Sequence, residues 1–250
     1  MLRQAAAVVA TLGYVGSALG QMTLVTDDRY NEYFIEITNI NGFTSDASER
    51  DDASFGSPFA SSVGDTLFFS GSNGNADADQ DSSITTEVIL ADLGCSSFAD
   101  ALFFESVYAV GYSQVDVVFS VAAPSPYEFE VTSWSQVSGG QAAAWLEWAD
   151  GSGAIEVMSG VGSGTGVLAP GEYHLYIGVL SEVFTTDFPP DSESAGVVAT
   201  FTVTPPGCVS EADVTTTGAA EGEPGFGVPD GEITGADIQF FVNAWFAGCP

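Results

Sequence analysis

A set of potential ligating oxygens in a recognisable order lies near the end of the chain. Asp230-Gly231-Glu232-Ile233-Thr234-Gly235-Ala236-Asp237 has the order of the second half of an EF-hand-type calcium loop. Asp230 stands at loop position 5, Gly231 supplies the sharp turn at 6, Glu232 offers a backbone carbonyl at 7, and Asp237 a carboxylate at 12. Uninterrupted, the loop would place Phe226 and Val228 at positions 1 and 3, where neither can bind a hard cation. Asp213 and Thr215 supply the missing oxygens if residues 217 to 229, rich in Gly and Pro, loop out at modest entropic cost. The expected Ca2+ site is therefore Asp213, Thr215, Asp230, Glu232 and Asp237, with an affinity near 10⁻⁴ to 10⁻³ M, roughly that of weak extracellular modules.

Other groups invite chemistry less strongly. Asn73, Asn75, Asp77, Asp79 and Asp81 alternate in NGNADADQD, which puts five oxygens on one side of an extended segment. A second calcium site is one reading; an exposed loop or charged sheet edge is the expected one. Glu128 and Glu130 share a strand face at a spacing that glycosidases use, but on the polar side of an alternating strand they are expected to be solvated. His174 is the only histidine, which excludes a mechanism needing two, and neither a G-x-S-x-G nor an H-E-x-x-H motif occurs. Trp145 and Trp148 are candidates for stacking on sugar rings. Their odd spacing in one strand sends them to opposite faces.

The elements that must hold these groups read as short strands. Tyr33, Ile35 and Ile37 alternate with Phe34, Glu36 and Thr38, as Tyr127, Phe129 and Val131 do with Glu128 and Glu130, and Tyr173, Leu175 and Ile177 with His174 and Tyr176. Further runs lie at 115–121, 143–148, 153–158 and 196–203. Turn clusters stand at 70–75, 124–126, 138–140, 150–153 and 188–194, and no long amphipathic helix intervenes. The expected fold is mainly β: an antiparallel β-sandwich or jelly-roll-like domain over 21–205, closed by the Pro-Pro-Gly stop before Cys208. A small module at 207–250 follows. There Ile238, Phe241, Val242, Trp245 and Phe246 recur at helical spacing, with Thr234 as N-cap. Phe240 lies off that apolar stripe and either contacts a partner or packs beneath the looped-out segment.

Composition narrows the partners. With 34 acidic residues, no Lys and only Arg3, Arg29 and Arg50, the formal net charge is −31. Such a chain cannot build the basic stripe that nucleic acid requires, and an anionic membrane would repel it. Residues 1–20 have an early Arg, an apolar run and small residues at Ala18 and Gly20, which reads as a signal peptide. The chain is expected to be secreted, with no membrane span after cleavage; the other reading is an uncleaved anchor. Cys208 and Cys249 bracket the C-terminal module, and their pairing would staple a unit too small for a large core. Cys95 is then a lone thiol, more a buried small hydrophobe than a reactive group.

The run D-V-T-T-T-G, then P-G-F-G-V-P-D-G, then a helix of D-x-x-x-F-x-x-x-W type ending in A-G-C-P, resembles the GC-type dockerin-like anchoring modules at the C-termini of secreted bacterial proteins. The resemblance covers residues 208–250. It implies calcium-supported folding and attachment of the upstream domain to an extracellular protein receptor, cohesin-like or a surface component. Cellulosomal dockerins usually carry two calcium loops, and this chain has one with a long insertion. The expected function is a secreted, non-catalytic β-sandwich tethered outside the cell. The alternatives are a carbohydrate-binding module, with polysaccharide as partner, and a polysaccharide hydrolase on the same scaffold.

Overall fold

A computed structural model describes residues 22–102, 104–186 and 189–204. The C-terminal module lies outside the described residues, and with it Asp213, Thr215, Asp230, Glu232, Asp237, Cys208, Cys249 and Phe240.

Twelve strands form the described domain: β1 (Met22–Asn39), β2 (Thr44–Asp52), β3 (Phe59–Phe69), β4 (Ser72–Ile84), β5 (Val88–Asp100), β6 (Glu105–Val121), β7 (Ser125–Val137), β8 (Gln141–Trp148), β9 (Ala154–Met158), β10 (Gly162–Leu168), β11 (Gly171–Thr185) and β12 (Asp191–Val203). They build two six-stranded antiparallel sheets, ordered β2-β1-β6-β11-β8-β9 and β10-β7-β12-β5-β4-β3. We call these sheet A and sheet B. The chain crosses between them repeatedly, and β1, β6 and β11 pack over β4, β5 and β12. No helix occurs among the described residues.

Alternation explains the core. Ile35, Val115, Val117, Phe119, Tyr173, Leu175 and Ile177 of sheet A meet Leu93, Phe129, Val197 and Phe201 of sheet B, all essentially out of water. Burying one such side chain contributes roughly 1.5 to 3 kcal/mol, so this double layer is the main favourable term. Phe119, Tyr173 and Phe201 form its aromatic centre, with ring centroids 5.7 and 5.4 Å from Phe119.

One end of the core holds a charge. Arg29 is fully buried and meets Asp27 through two guanidinium N–H groups at 2.6 and 2.7 Å. Arg29 also donates to the Ser57 carbonyl at 2.6 Å, while the Gly56 N–H donates to Asp27 at 2.8 Å. The pair thus pins the β2–β3 connection beneath the sandwich. An Arg so deep is tolerable only because each charge faces its partner and further hydrogen-bonding groups.

Two segments depart from the expectation. Residues 73–81 are neither a loop nor a sheet edge: they run through β4, paired on both sides by β3 and β5, and only Ser70-Gly71 makes the turn. The inward residues of β4 are Ser72, Gly74, Ala76, Ala78, Gln80 and Ser82. All but Gln80 are small, and at Gly74 sheet A comes close: a Cβ there would lie 2.6 Å from the Ile35 side chain. An alternation without large apolar residues carries little strand signal. The second departure is β2, TSDASERDD, an almost wholly exposed edge strand held by backbone pairing to β1.

Candidate functional site

The outward positions of sheet A are more aromatic than solvent exposure asks for. Tyr30 and Phe34 on β1, Tyr108 and Tyr112 on β6, Tyr176 on β11 and Trp145 on β8 all alternate with buried neighbours. Strand register sets them in rows. One row runs Asp28, Asp116, Tyr176, Trp145; the next runs Tyr30, Gln114, Gly178, Ala143; the third runs Glu32, Tyr112, Leu180, Gln141.

The middle row is short over β11 and β8, which leaves a hollow of about 150 Å³ lined by Tyr112, Gln141, Ala143, Tyr176, Gly178 and Leu180. Gly178 is required by space: Tyr176 lies over it, so that an added Cβ would collide with the phenol. Trp145 stacks on Tyr176 with centroids 4.1 Å apart and rings 20° from parallel. Tyr112 meets Tyr30 at 5.5 Å, and the Arg50 guanidinium lies 3.4 Å over the Tyr30 ring. From Arg50 on β2 to Trp145 on β8 the array crosses five strands, about 19 Å at the usual strand spacing.

Hydrogen bonds lock the centre. The Tyr112 hydroxyl donates to Gln114 Oε1 at 2.6 Å, so the 2.7 Å contact between the two phenols is a donation from Tyr176 to Tyr112. Gln114 Nε2 in turn donates to the Asp28 carbonyl at 3.4 Å. Burial raises both phenols above their ordinary value, which keeps them protonated and able to donate. The Tyr176 oxygen, already donating its own hydrogen, keeps lone pairs that can accept from a ligand hydroxyl.

His174 sits beside this array between two carboxylates, with Nδ1 3.0 Å from Glu147 and Nε2 2.8 Å from Asp116. The ring thereby bridges β6 and β8. The arrangement offers stacking faces and hydroxyl contacts.

The residues singled out from the sequence fall elsewhere or only partly here. Trp145 lies in the array, whereas Trp148 faces the other way, against Tyr173 at 4.7 Å and the core. Glu128 and Glu130 stand exposed on the outer face of sheet B, facing Thr200 and Thr202 of β12. Asp77, Asp79 and Asp81 share that outer face, with Asp92 directly opposite Asp81 beside a shallow hollow of about 240 Å³. Asp77 accepts from Ser96 at 2.5 Å, and Asn75 donates to Asp65 O and Thr66. No group of three His, Cys, Asp or Glu among the described residues is placed to hold a metal. Cys95 is buried and unpaired in the core, where burial pushes its thiol up to about 11.

No sequence motif singles out Tyr30, Tyr112, Gln114 or Tyr176 as site residues. The signal for them was present: aromatic residues at the outward positions of strands whose inward positions already supply the core. No protein-family model, curated protein or solved structure matches the chain.

Proposed function

We propose that this is a secreted, non-catalytic binding protein. Its β-sandwich takes an uncharged polysaccharide on the outer face of sheet A, and its C-terminal residues 207–250 tether it, through a calcium-dependent dockerin-like module, to an extracellular protein receptor. The ligand half rests on one observation: Tyr112, Tyr176 and Trp145 form a locked, partly exposed array around a shallow hollow. A sugar ring offers apolar C–H faces and a rim of hydroxyls. Aromatic rings beside phenol oxygens, a Gln amide and carboxylates complement both.

Charge selects within that class. Asp28, Glu32, Asp116 and Glu147 surround the array, and Arg50, its one cation, is already shared among Asp28, Glu32 and Asp52. A uronate or sulfated glycan would meet net repulsion, so a neutral chain is the fitting ligand. The tether half rests on the resemblance of residues 208–250 and on the oxygens of Asp213, Thr215, Asp230, Glu232 and Asp237.

The test is retention on a panel of neutral and anionic polysaccharides, with Trp145→Ala and Tyr176→Ala beside the parent. Retention by a neutral member that falls about tenfold in each variant, the equivalent of roughly 1.4 kcal/mol, supports the reading. Retention unchanged by both substitutions sinks it, and release of reducing ends would overturn the non-catalytic part.

A further inference from the structure

The row of sheet A that holds the hollow does not stop there. Ala143, Gly178, Gln114 and Tyr30 stand side by side across β8, β11, β6 and β1, so beyond the Tyr112–Tyr176 hydroxyl pair the same row continues to Tyr30. Asp28 and Asp116 flank that stretch on one side, Glu32 and Tyr112 on the other. On β2, Asp52 pairs with Tyr30 and Arg50 with Glu32, which brings Arg50 to the same outer face.

Arg50 is held there by more than charge. Its guanidinium carbon lies 3.4 Å over the Tyr30 ring, the distance of a stacked contact, and its Nε donates to Asp52 at 2.7 Å. Glu32 and Asp28 stand 3.6 and 3.8 Å from Nη1 and Nη2, ion-pair contacts too long for hydrogen bonds, so these nitrogens still have hydrogens to offer. The side chain remains 43% exposed. Arg29, the other arginine among the described residues, is buried and engaged by Asp27 and Ser57, which leaves Arg50 as the one described guanidinium that a ligand can reach. Neutralising three carboxylates asks only for a cation. A guanidinium adds a rigid plane with forked donors, and here Tyr30 backs one face of that plane while Asp52 fixes its position.

We infer that Tyr30 and Arg50 form a second, distal sugar subsite, so that the outer face of sheet A takes several consecutive units of an extended β-1,4-linked neutral polysaccharide laid across the strands. This rests on the glycan reading above and adds the length and shape of the chain. Neighbouring strands lie about 4.8 Å apart, close to the advance of one unit along an extended β-1,4 chain, and β2 to β8 spans four such steps, about 19 Å. A ribbon-shaped chain therefore reaches Trp145 and Arg50 at once, whereas an α-1,4-linked chain coils away from the sheet between them. At the distal end a sugar stacks on the open face of the guanidinium and accepts from its Nη hydrogens. Asp28 and Glu32 accept from the sugar hydroxyls on either side.

Calorimetric titration of the full chain with dimers and hexamers of β-1,4-linked glucose, mannose and xylose tests this, beside the α-1,4-linked glucose hexamer. In at least one β-1,4 series the hexamer is expected to bind about tenfold or more tightly than the dimer, and the α-1,4 hexamer is expected to show no such gain. Arg50→Met, Arg50→Lys and Tyr30→Ala should each remove most of the gain, Trp145→Ala should weaken both lengths, and Glu130→Gln on sheet B should change neither. A parent-like thermal transition in each variant separates a lost contact from unfolding. Equal affinity for dimer and hexamer overturns the inference. So does a gain that survives Arg50→Lys, which keeps the cation and loses the plane. Retention of some other neutral polysaccharide without binding of any β-1,4 hexamer overturns it and leaves the glycan reading standing; no retention of any polysaccharide removes both.

Discussion

The phenols of Tyr112 and Tyr176, 64 positions apart in the chain, share a 2.7 Å hydrogen bond across the β6–β11 junction. With Gln114 accepting from Tyr112 and Trp145 stacked on Tyr176, this bond fixes the side chains that floor and wall the hollow on sheet A. A ligand meeting such an array loses little in ordering it, which is why locked aromatic rings make efficient binding surfaces.

Gly178→Ala is expected to displace the Tyr176 ring, because the added methyl group would occupy the volume of the phenol. The cost is about 1 to 3 kcal/mol, in the range of overpacking, with a loss of near-UV dichroism from the Trp145–Tyr176 stack. Urea denaturation with dichroism at both wavelengths checks it. An unchanged spectrum with unchanged stability would mean that Tyr176 does not lie over Gly178.

Tyrosine ionisation gives the domain an alkaline limit. Burial, reinforced by hydrogen bonding to Glu182 and Glu156, pushes Tyr108 and Tyr127 up to about 12, and burial raises Tyr112 and Tyr176 as well. An unfolded phenol titrates near 10, roughly the model-peptide value. The folded chain therefore holds these protons more tightly, so their contribution is complete below about pH 10 and is lost as pH rises through 12. Absorbance at the phenolate band should show the native chain lagging the urea-unfolded chain at pH 10 to 11. Coincident curves would contradict it.

Arg29→Met is expected to cost about 3 to 5 kcal/mol, since it leaves Asp27 buried without its cation. Adding Asp27→Leu should recover much of that loss by removing the orphaned charge. Chemical denaturation of the two variants decides the matter: a double variant no more stable than the single one would show that Arg29 acts mainly by fastening Ser57 and the β2–β3 connection.

Calcium should bind the full chain in the roughly 0.1 to 1 mM range expected of weak extracellular sites. The double variant Asp230→Ala, Asp237→Ala should lose the saturable component in calorimetry and retain only diffuse binding to the acidic surface. A parent with no saturable component up to 10 mM, about ten times that range, would remove the metal from the tether.

The mainly β character and the facing of individual side chains could be read directly from residue order. Tyr127, Phe129 and Val131 turn inward and Glu128 and Glu130 outward because side chains alternate along any strand, and large apolar residues mark which side is buried. The proposed C-terminal calcium site, outside the described residues, rests on the spacing of Asp230 to Asp237 and on Asp213 and Thr215 brought in across an insertion. The order of strands, by contrast, depends on contacts between distant residues, and no local period encodes them. β4 carried little strand signal because its inward residues are Ser72, Gly74, Ala76, Ala78, Gln80 and Ser82, with Ile35 and Val107 of the opposite sheet filling the space a side chain at Gly74 would take. Tyr112, Tyr176 and Trp145 are ordinary outward residues of three separate strands. They become one array only when β6, β11 and β8 pair in the register that sets Tyr176 beside Trp145.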